Sequence, residues 1–261
     1  MDPLAQRSPD IAGIGMDGLA IQPIGATEQH GPHLPLATDA IIAETLAARA
    51  VELLPDSLPV WLLPVLSYGL SPEHAGRPGT VSLSTTTLIA VCMDVARAVA
   101  ASGIRTLIFV NAHGGNPDIL RVLTRDIRER FRMHAYAVHA PTLPLPAELI
   151  AQMPRADYDV HAGFYETSVL LALEAGGVDL DVAAPDGLAA ATALASMQHI
   201  SLFGEVSLPW HVDDVSASGT IGDPSGANAA WGRAALDAQA GALAEAVVEF
   251  ATFRYPPTAG G

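Results

Sequence analysis

Three separated stretches of the chain carry side chains able to hold divalent cations: Glu28, His30 and Asp39 in GATEQHGPHLPLATDA, His113 in FVNAHGGN, and Glu166 in HAGFYETS. Imidazole and carboxylate bind transition-metal cations at neutral pH, and a bridged pair needs a carboxylate with two usable oxygens. The set therefore has the composition of a two-metal hydrolytic site. Glu28 and His30 alternate with Gln29, so in an extended segment they project the same way, onto neighbouring cations or onto one. Asp39 either caps the helix that begins there, a role Thr38 can also fill, or bridges the cations; its company favours bridging. Two glycines after His113 let the backbone turn sharply or approach a ligand, and Asn111 and Asn116 suit holding that loop. Glu166 completes the metal shell or simply favours a helix N-terminus electrostatically. His161 has the near-neutral pKa of a general acid for a leaving nitrogen. His161 and Glu166 are thus the catalytic candidates. Ser71, Glu73, His74 and Tyr165 are candidate substrate contacts, although Glu73 and His74 also read as a surface pair on a loop.

Each of these segments lies where an apolar run ends or a helix begins, which is where an open α/β sheet places its chemistry. Ala20 to Ile24, Val60 to Leu66, Ile104 to Val110 and Ala135 to His139 read as strands. Helical patterns cover 39–54, Thr85 to Ala101, Asp118 to Arg132, Glu166 to Ala175 and Ala229 to Phe250, with Pro55, Gly103 and Gly176 as stops. Residues 26–38 hold Gly31, Pro32 and Pro35 and must be an irregular loop. Residues 141–160 are proline-rich, and about 50 residues after Gly177 show little pattern. Strands alternating with helices imply a mainly parallel sheet covered on both faces. No linker or repeat divides the 261 residues, so a single domain is expected, with 1–17 and 255–261 peripheral or disordered.

Composition removes several alternatives. Thirteen basic against 28 acidic side chains leave a net charge of −15. No Lys/Arg cluster suits a phosphate backbone, so no nucleic-acid partner is expected. The helix candidate 85–101 contains Asp94 and Arg97 and is a core helix rather than a membrane span. The single cysteine, Cys92, sits in an apolar run as a buried hydrophobe, which fits a reducing compartment. With no signal-peptide pattern at the start, a cytoplasmic location is expected. The GGN turn lacks any GxGxxG or GxxxxGK[ST] pattern, which argues against a nucleotide module.

Together, GATEQHGPHLPLATDA, Ser71-Pro72-Glu73-His74 with Pro78-Gly79-Thr80, NAHGGN, HAGFYETS and SGTIGDP (218–224) resemble the creatininase (creatinine amidohydrolase) family, in family order from residue 20 to about 233. The resemblance implies a three-layer α/β/α sandwich, two divalent cations (Zn, Mn or Fe) and a homo-oligomer, often a hexamer. It implies Glu28, His30, Asp39 and His113 as ligands and His161 as proton donor and acceptor. One departure stands out. Creatininase itself carries Tyr and a ligating Glu directly after the equivalent of His113, where this chain has Gly114 and Gly115; members of the Gly-Gly type draw the missing carboxylate from the equivalent of Glu166. The tryptophan ahead of the catalytic histidine is also replaced, by the run Ala156 to Val160.

The activity these features predict is hydrolysis of a small, possibly cyclic, amide by a metal-bridging hydroxide. Within the family, a formamide deformylase or a mycofactocin-type precursor peptidase is the alternative. The segment Trp210 to Val215 before SASGTIGDP looks more like the general type than the peptidase. A non-catalytic metal-binding assembly subunit is the non-enzyme alternative, and the intact ligand set with His161 argues against it.

Overall fold

The computed structural model describes residues 5–202, 206 and 208–253. Four strands, β1 (Leu19–Ile24), β2 (Val60–Leu62), β3 (Thr106–Asn111) and β4 (His134–His139), form a parallel sheet in the order β2-β1-β3-β4. The helices are α1 (Ser8–Ala12), α2 (Thr38–Glu52), α3 (Thr85–Ala101), α4 (Pro117–Phe131), α5 (Ala147–Ile150), α6 (Phe164–Ala172), α7 (Leu188–Ala195), α8 (Val212–Val215) and α9 (Ala229–Thr252).

Alternation along the strands builds the layers. Ala20, Leu107 and Phe109 pack on Leu88, Cys92, Ala96 and Val99 of α3 and on Leu120, Leu123 and Ile127 of α4. Leu19, Ile21, Ile108 and Val110 face the other way, onto Ala47, Ala50 and Val51 of α2 and Leu243 and Val247 of α9. The result is the expected α/β/α sandwich. The crossovers leaving β1 and β3 run in opposite directions, so the carboxyl ends of these neighbouring strands open a crevice at the switch point. Both metal-motif loops leave from there.

Some local expectations change. The second strand stops at Leu62, with a last bond from Leu63 N to Ile21 O (2.9 Å), because Pro64 offers no N–H to the ladder; pairing resumes as one parallel bridge at Leu66, whose N–H donates to Pro23 O (3.0 Å) and whose carbonyl accepts from Gly25 N (3.0 Å). Neither Thr38 nor Asp39 caps α2: its N-cap is Ala37, without a side-chain bond, and Thr38 Oγ1 donates to Pro35 O at 2.7 Å. Asp39 is thereby free for other partners. The proline-rich stretch forms only short turns and the four-residue α5. At the start, exposed α1 precedes the buried Ile14; residues 1–4 and the tail 255–261 lie outside the described residues. Among the described residues, no helix is long and apolar enough to cross a membrane.

Candidate metal centre

The loop after β1 carries Glu28 and His30, the first turn of α2 carries Asp39, the loop after β3 carries His113, and the first turn of α6 carries Glu166. These side chains meet. His30 Nε2 lies 3.1 Å from Asp39 Oδ1 and 4.0 Å from Glu166 Oε2. His113 Nδ1 lies 3.1 Å from Asp39 Oδ2 and 3.3 Å from Glu28 Oε1. Asp39 thus divides its two oxygens between two imidazoles. Glu28 Oε1 is approached in addition by His161 Nδ1 (3.7 Å) and His74 Nε2 (3.6 Å). Three groups bring potential ligand atoms within 4.8 Å of one another: His30, Asp39 and Glu166; Glu28, Glu73 and His113; and Glu28, His30 and His161.

The outward nitrogens show how the rings are held. His30 Nδ1 lies 3.1 Å from Glu28 O, His113 Nε2 2.8 Å from Leu70 O, and His161 Nε2 2.7 Å from Gln29 O. A carbonyl can only accept, so each outward nitrogen donates its proton there and leaves the inward one as the available ligand atom. This is the arrangement expected of metal-binding histidines. Glu28 Oε2 and Asp39 Oδ2 are buried without a hydrogen-bond partner, and an uncompensated buried carboxylate costs several kcal/mol. The donor set fits hard or borderline divalent cations.

The protein's own charge balance agrees. Burial alone would lower the His30 pKa, but Asp39 at hydrogen-bond distance, with Glu166 and Glu28, raises it to about 10. His113 is likewise raised, Glu28 and Asp39 outweighing burial. Burial pushes Glu166 up to about 7 against the pull of His30. Burial, with His30 and His74 nearby, holds His161 well below the usual imidazole range, so it is neutral.

Supporting groups surround the cluster. Asn111 Nδ2 donates to His113 O (2.7 Å), and Asn116 joins Asn111 Oδ1 (2.9 Å), Gly25 O (3.2 Å) and the Leu70 N–H (3.0 Å), so both asparagines hold the loop. A Cβ at Gly115 would stand 2.0 Å from Leu70 O and 2.6 Å from His113 Nε2. Ser71 is fully buried, with Oγ 3.2 Å from His113 Nε2, and so supports that ring rather than facing a pocket. Glu73 sits at the cluster's edge, its Oε1 3.8 Å from His113 Nε2, and burial raises its pKa. Tyr165 requires a correction. Its hydroxyl donates to Gln239 Oε1 (2.7 Å) and its ring packs edge-on against Trp231, so it belongs to the core between α6 and α9 and is no substrate contact. Residue spacing missed Gln29, Asp159 and Asp186. Asp159 accepts the Phe164 and Tyr165 N–H groups (2.7 and 2.9 Å) and so starts α6, while Asp186 accepts from Ser216 and Ser218.

The family model for creatininase, creatinine amidohydrolase, matches residues 6–247. The chain belongs to the creatininase family. It is a hydrolase of that family, acting on amide or related carbon–nitrogen bonds. A mycofactocin precursor peptide peptidase of Mycobacterium ulcerans is 37% identical over 219 residues, 81% of this chain and 77% of that protein. The creatinine amidohydrolase of Pseudomonas putida is 29% identical over 181 residues, 63% of this chain and 68% of the other. A solved Bacteroides fragilis protein named for its likeness to creatinine amidohydrolase superposes with a TM-score of 0.80 at 22% identity, covering 98% of this chain and all of that one, which shows the shared fold.

Proposed function

We propose that this family member hydrolyses an amide C–N bond at a centre of two divalent cations, one held by Glu28, His113 and Asp39, the other by His30, Asp39 and Glu166. The observation that carries the reading is that His30 and His113 hold their outward protons on backbone carbonyls and turn their other nitrogens inward, onto a carboxylate cluster in which Glu28 Oε2 and Asp39 Oδ2 are buried without hydrogen-bond partners. Cations bound there would polarise the scissile carbonyl and acidify water, the two services of a hydrolytic metal site. The chain supplies the proton path. Neutral His161, its Nε2–H fixed on Gln29 O, presents a bare Nδ1. That nitrogen takes a proton from the attacking water as the C–O bond forms and returns it to the departing nitrogen as the C–N bond breaks.

The substrate class we favour is a peptide. The peptidase relative is more similar, over more of the chain, than the creatinine amidohydrolase, which outweighs the contrary hint from Trp210 to Val215. A small cyclic amide is the second reading, supported by the Pseudomonas putida relative. Zinc- or manganese-loaded protein assayed against linear peptides, creatinine and N-formyl compounds separates these and the deformylase. Undiminished turnover after exhaustive chelation, with no metal detected by mass spectrometry, would rule out the centre itself.

A further inference from the structure

Four imidazoles stand around Glu28, and the bonds at their outward nitrogens sort them into two kinds. His30, His113 and His161 each donate outward to a backbone carbonyl. His74 does not. Its outward Nδ1 lies 2.9 Å from Nε2 of the Gln29 side-chain amide. The orientation of that amide is set by groups whose roles cannot change. Gln29 Oε1 lies 3.0 Å from the Gly31 N–H, which can only donate, and Gln29 Nε2 lies 3.2 Å from Gly219 O, which can only accept. Turning the amide over would set oxygen against oxygen and N–H against N–H.

Gln29 Nε2 has two hydrogens and therefore two acceptors, Gly219 O and His74 Nδ1. His161 Nε2 is also near, at 3.1 Å, but its own proton already lies on Gln29 O, so it cannot accept a third. His74 Nδ1 must then be bare, and the His74 proton sits on Nε2, the nitrogen turned toward Glu28 Oε1. Where the other three rings hold a proton outward on a carbonyl and can give a cation the lone pair of the inward nitrogen, His74 offers an N–H.

We infer that His74 is the one donor among the four rings, its Nε2–H turned to the Glu28 carboxylate of the centre, and that Gln29 is the positioning residue that fixes this tautomer. His74 keeps its proton throughout. It is the complement of His161, whose ring stacks on it at 4.3 Å between centroids and which supplies the base. Room for Gln29 is made by Gly219, at φ +97°, where a Cβ would stand 1.9 Å from Gln29 Oε1. The 3-10 turn Pro72–His74 and the Gly219 loop thus close on the amide from two sides. The effect on turnover rests on the hydrolase reading above; the His74 tautomer rests on the hydrogen bonds alone.

The test is long-range proton–nitrogen correlation spectroscopy on full-length, zinc-loaded protein labelled with ¹⁵N-histidine, the His74 signals being assigned with His74→Gln. The expected result is a proton on His74 Nε2 and a bare Nδ1 in the unsubstituted protein. In Gln29→Leu, bound zinc stays at its original level, the His74 tautomer is no longer fixed, and turnover of the best substrate found above falls about 10- to 100-fold. A His74 protonated at Nδ1, or one with Nε2 bound to zinc, overturns the inference without any variant. So does an unchanged tautomer in Gln29→Leu. Loss of zinc from the unsubstituted protein would instead strike the proposed centre, and is read separately by metal analysis.

Discussion

At the scale of single residues, the centre is a set of groups whose protonation a cation must displace. His30, at about 10, carries its second proton near pH 8, and the Glu28 and Asp39 carboxylates raise His113 in the same direction. Ligands must be deprotonated to bind, so cation uptake at pH 8 should release protons, that of His30 among them, and affinity should rise with pH until these histidines titrate. Calorimetry in buffers of different ionisation heat measures this; an enthalpy independent of buffer would refute it. Gly115 gives a second expectation. Its missing side chain leaves the space in which Leu70 O reaches His113 Nε2. Gly115→Ala should displace that ring and weaken cation binding about 10- to 100-fold, the usual cost of a disturbed ligand support, as equilibrium dialysis against zinc would show; unchanged affinity would mean the ring tolerates the shift. The proposed ligands were legible as a group because charged and imidazole side chains are rare in apolar surroundings, and the side chains of Glu28, His30, Asp39, His113 and Glu166 do converge. Tyr165 was misread because consecutive helical residues point about 100° apart: with Glu166 turned to the centre, its neighbour faces α9. Gln29 was hidden by the same alternation that made Glu28 and His30 conspicuous, since an extended segment would send it the other way. The turn at Gly31, φ +62°, brings its amide back.

At the scale of elements, the centre depends on a loop that no periodicity announces. Residues 216–222 contain no strand or helix, yet Asp186 holds them through the Ser216 hydroxyl (2.8 Å) and the N–H and hydroxyl of Ser218 (2.8 and 2.7 Å). Ile221 in turn pairs with the backbone of His161, at 3.0 and 2.8 Å. Partial burial works against ionised Asp186, but the Ser218, Gly187 and Ser216 donors outweigh it and lower its pKa to about 2. A carboxyl depressed on folding contributes stability that is complete above its ordinary value near 4 and disappears as pH falls toward 2. Asp186→Asn should therefore be less stable than the parent at pH 7, with the gap closing as the solution is acidified to pH 2. Denaturant midpoints followed by circular dichroism across that range check the sign, and a gap constant with pH would contradict it. The regular elements were readable because two-residue and 3.6-residue periods mark the faces that sheet and helices bury. Most of the stretch after Gly177 was not, because its shape comes from tertiary bonds such as those of Asp186, whose partners lie 30 or more residues away.

At the scale of the whole molecule, the proposed ligands come from both sides of the switch point: the loop after β1, the start of α2, the loop after β3 and the start of α6. Each is brought to the centre by a different packing contact, α2 by the sheet and α9, α6 by α9. A cation seated there binds the folded chain and finds no such assembly in the unfolded one. At a free concentration 100 times its dissociation constant, the linkage is worth about 2.7 kcal/mol. For a domain approaching this size, 1 kcal/mol moves the thermal midpoint by about 2–4 °C, so zinc or manganese should raise it by roughly 5–10 °C over chelated protein. His113→Ala removes a proposed ligand, one of the subsite assigned also to Glu28 and Asp39, and should keep only a small part of that rise. His161→Ala, which removes the proposed base and leaves the other ligands in place, should keep most of it while losing turnover. Differential scanning calorimetry at fixed free cation separates the two variants. If both lose the rise equally, His161 is a ligand and the proton path assigned to it is wrong; if neither loses it, the cation is bound elsewhere on the chain.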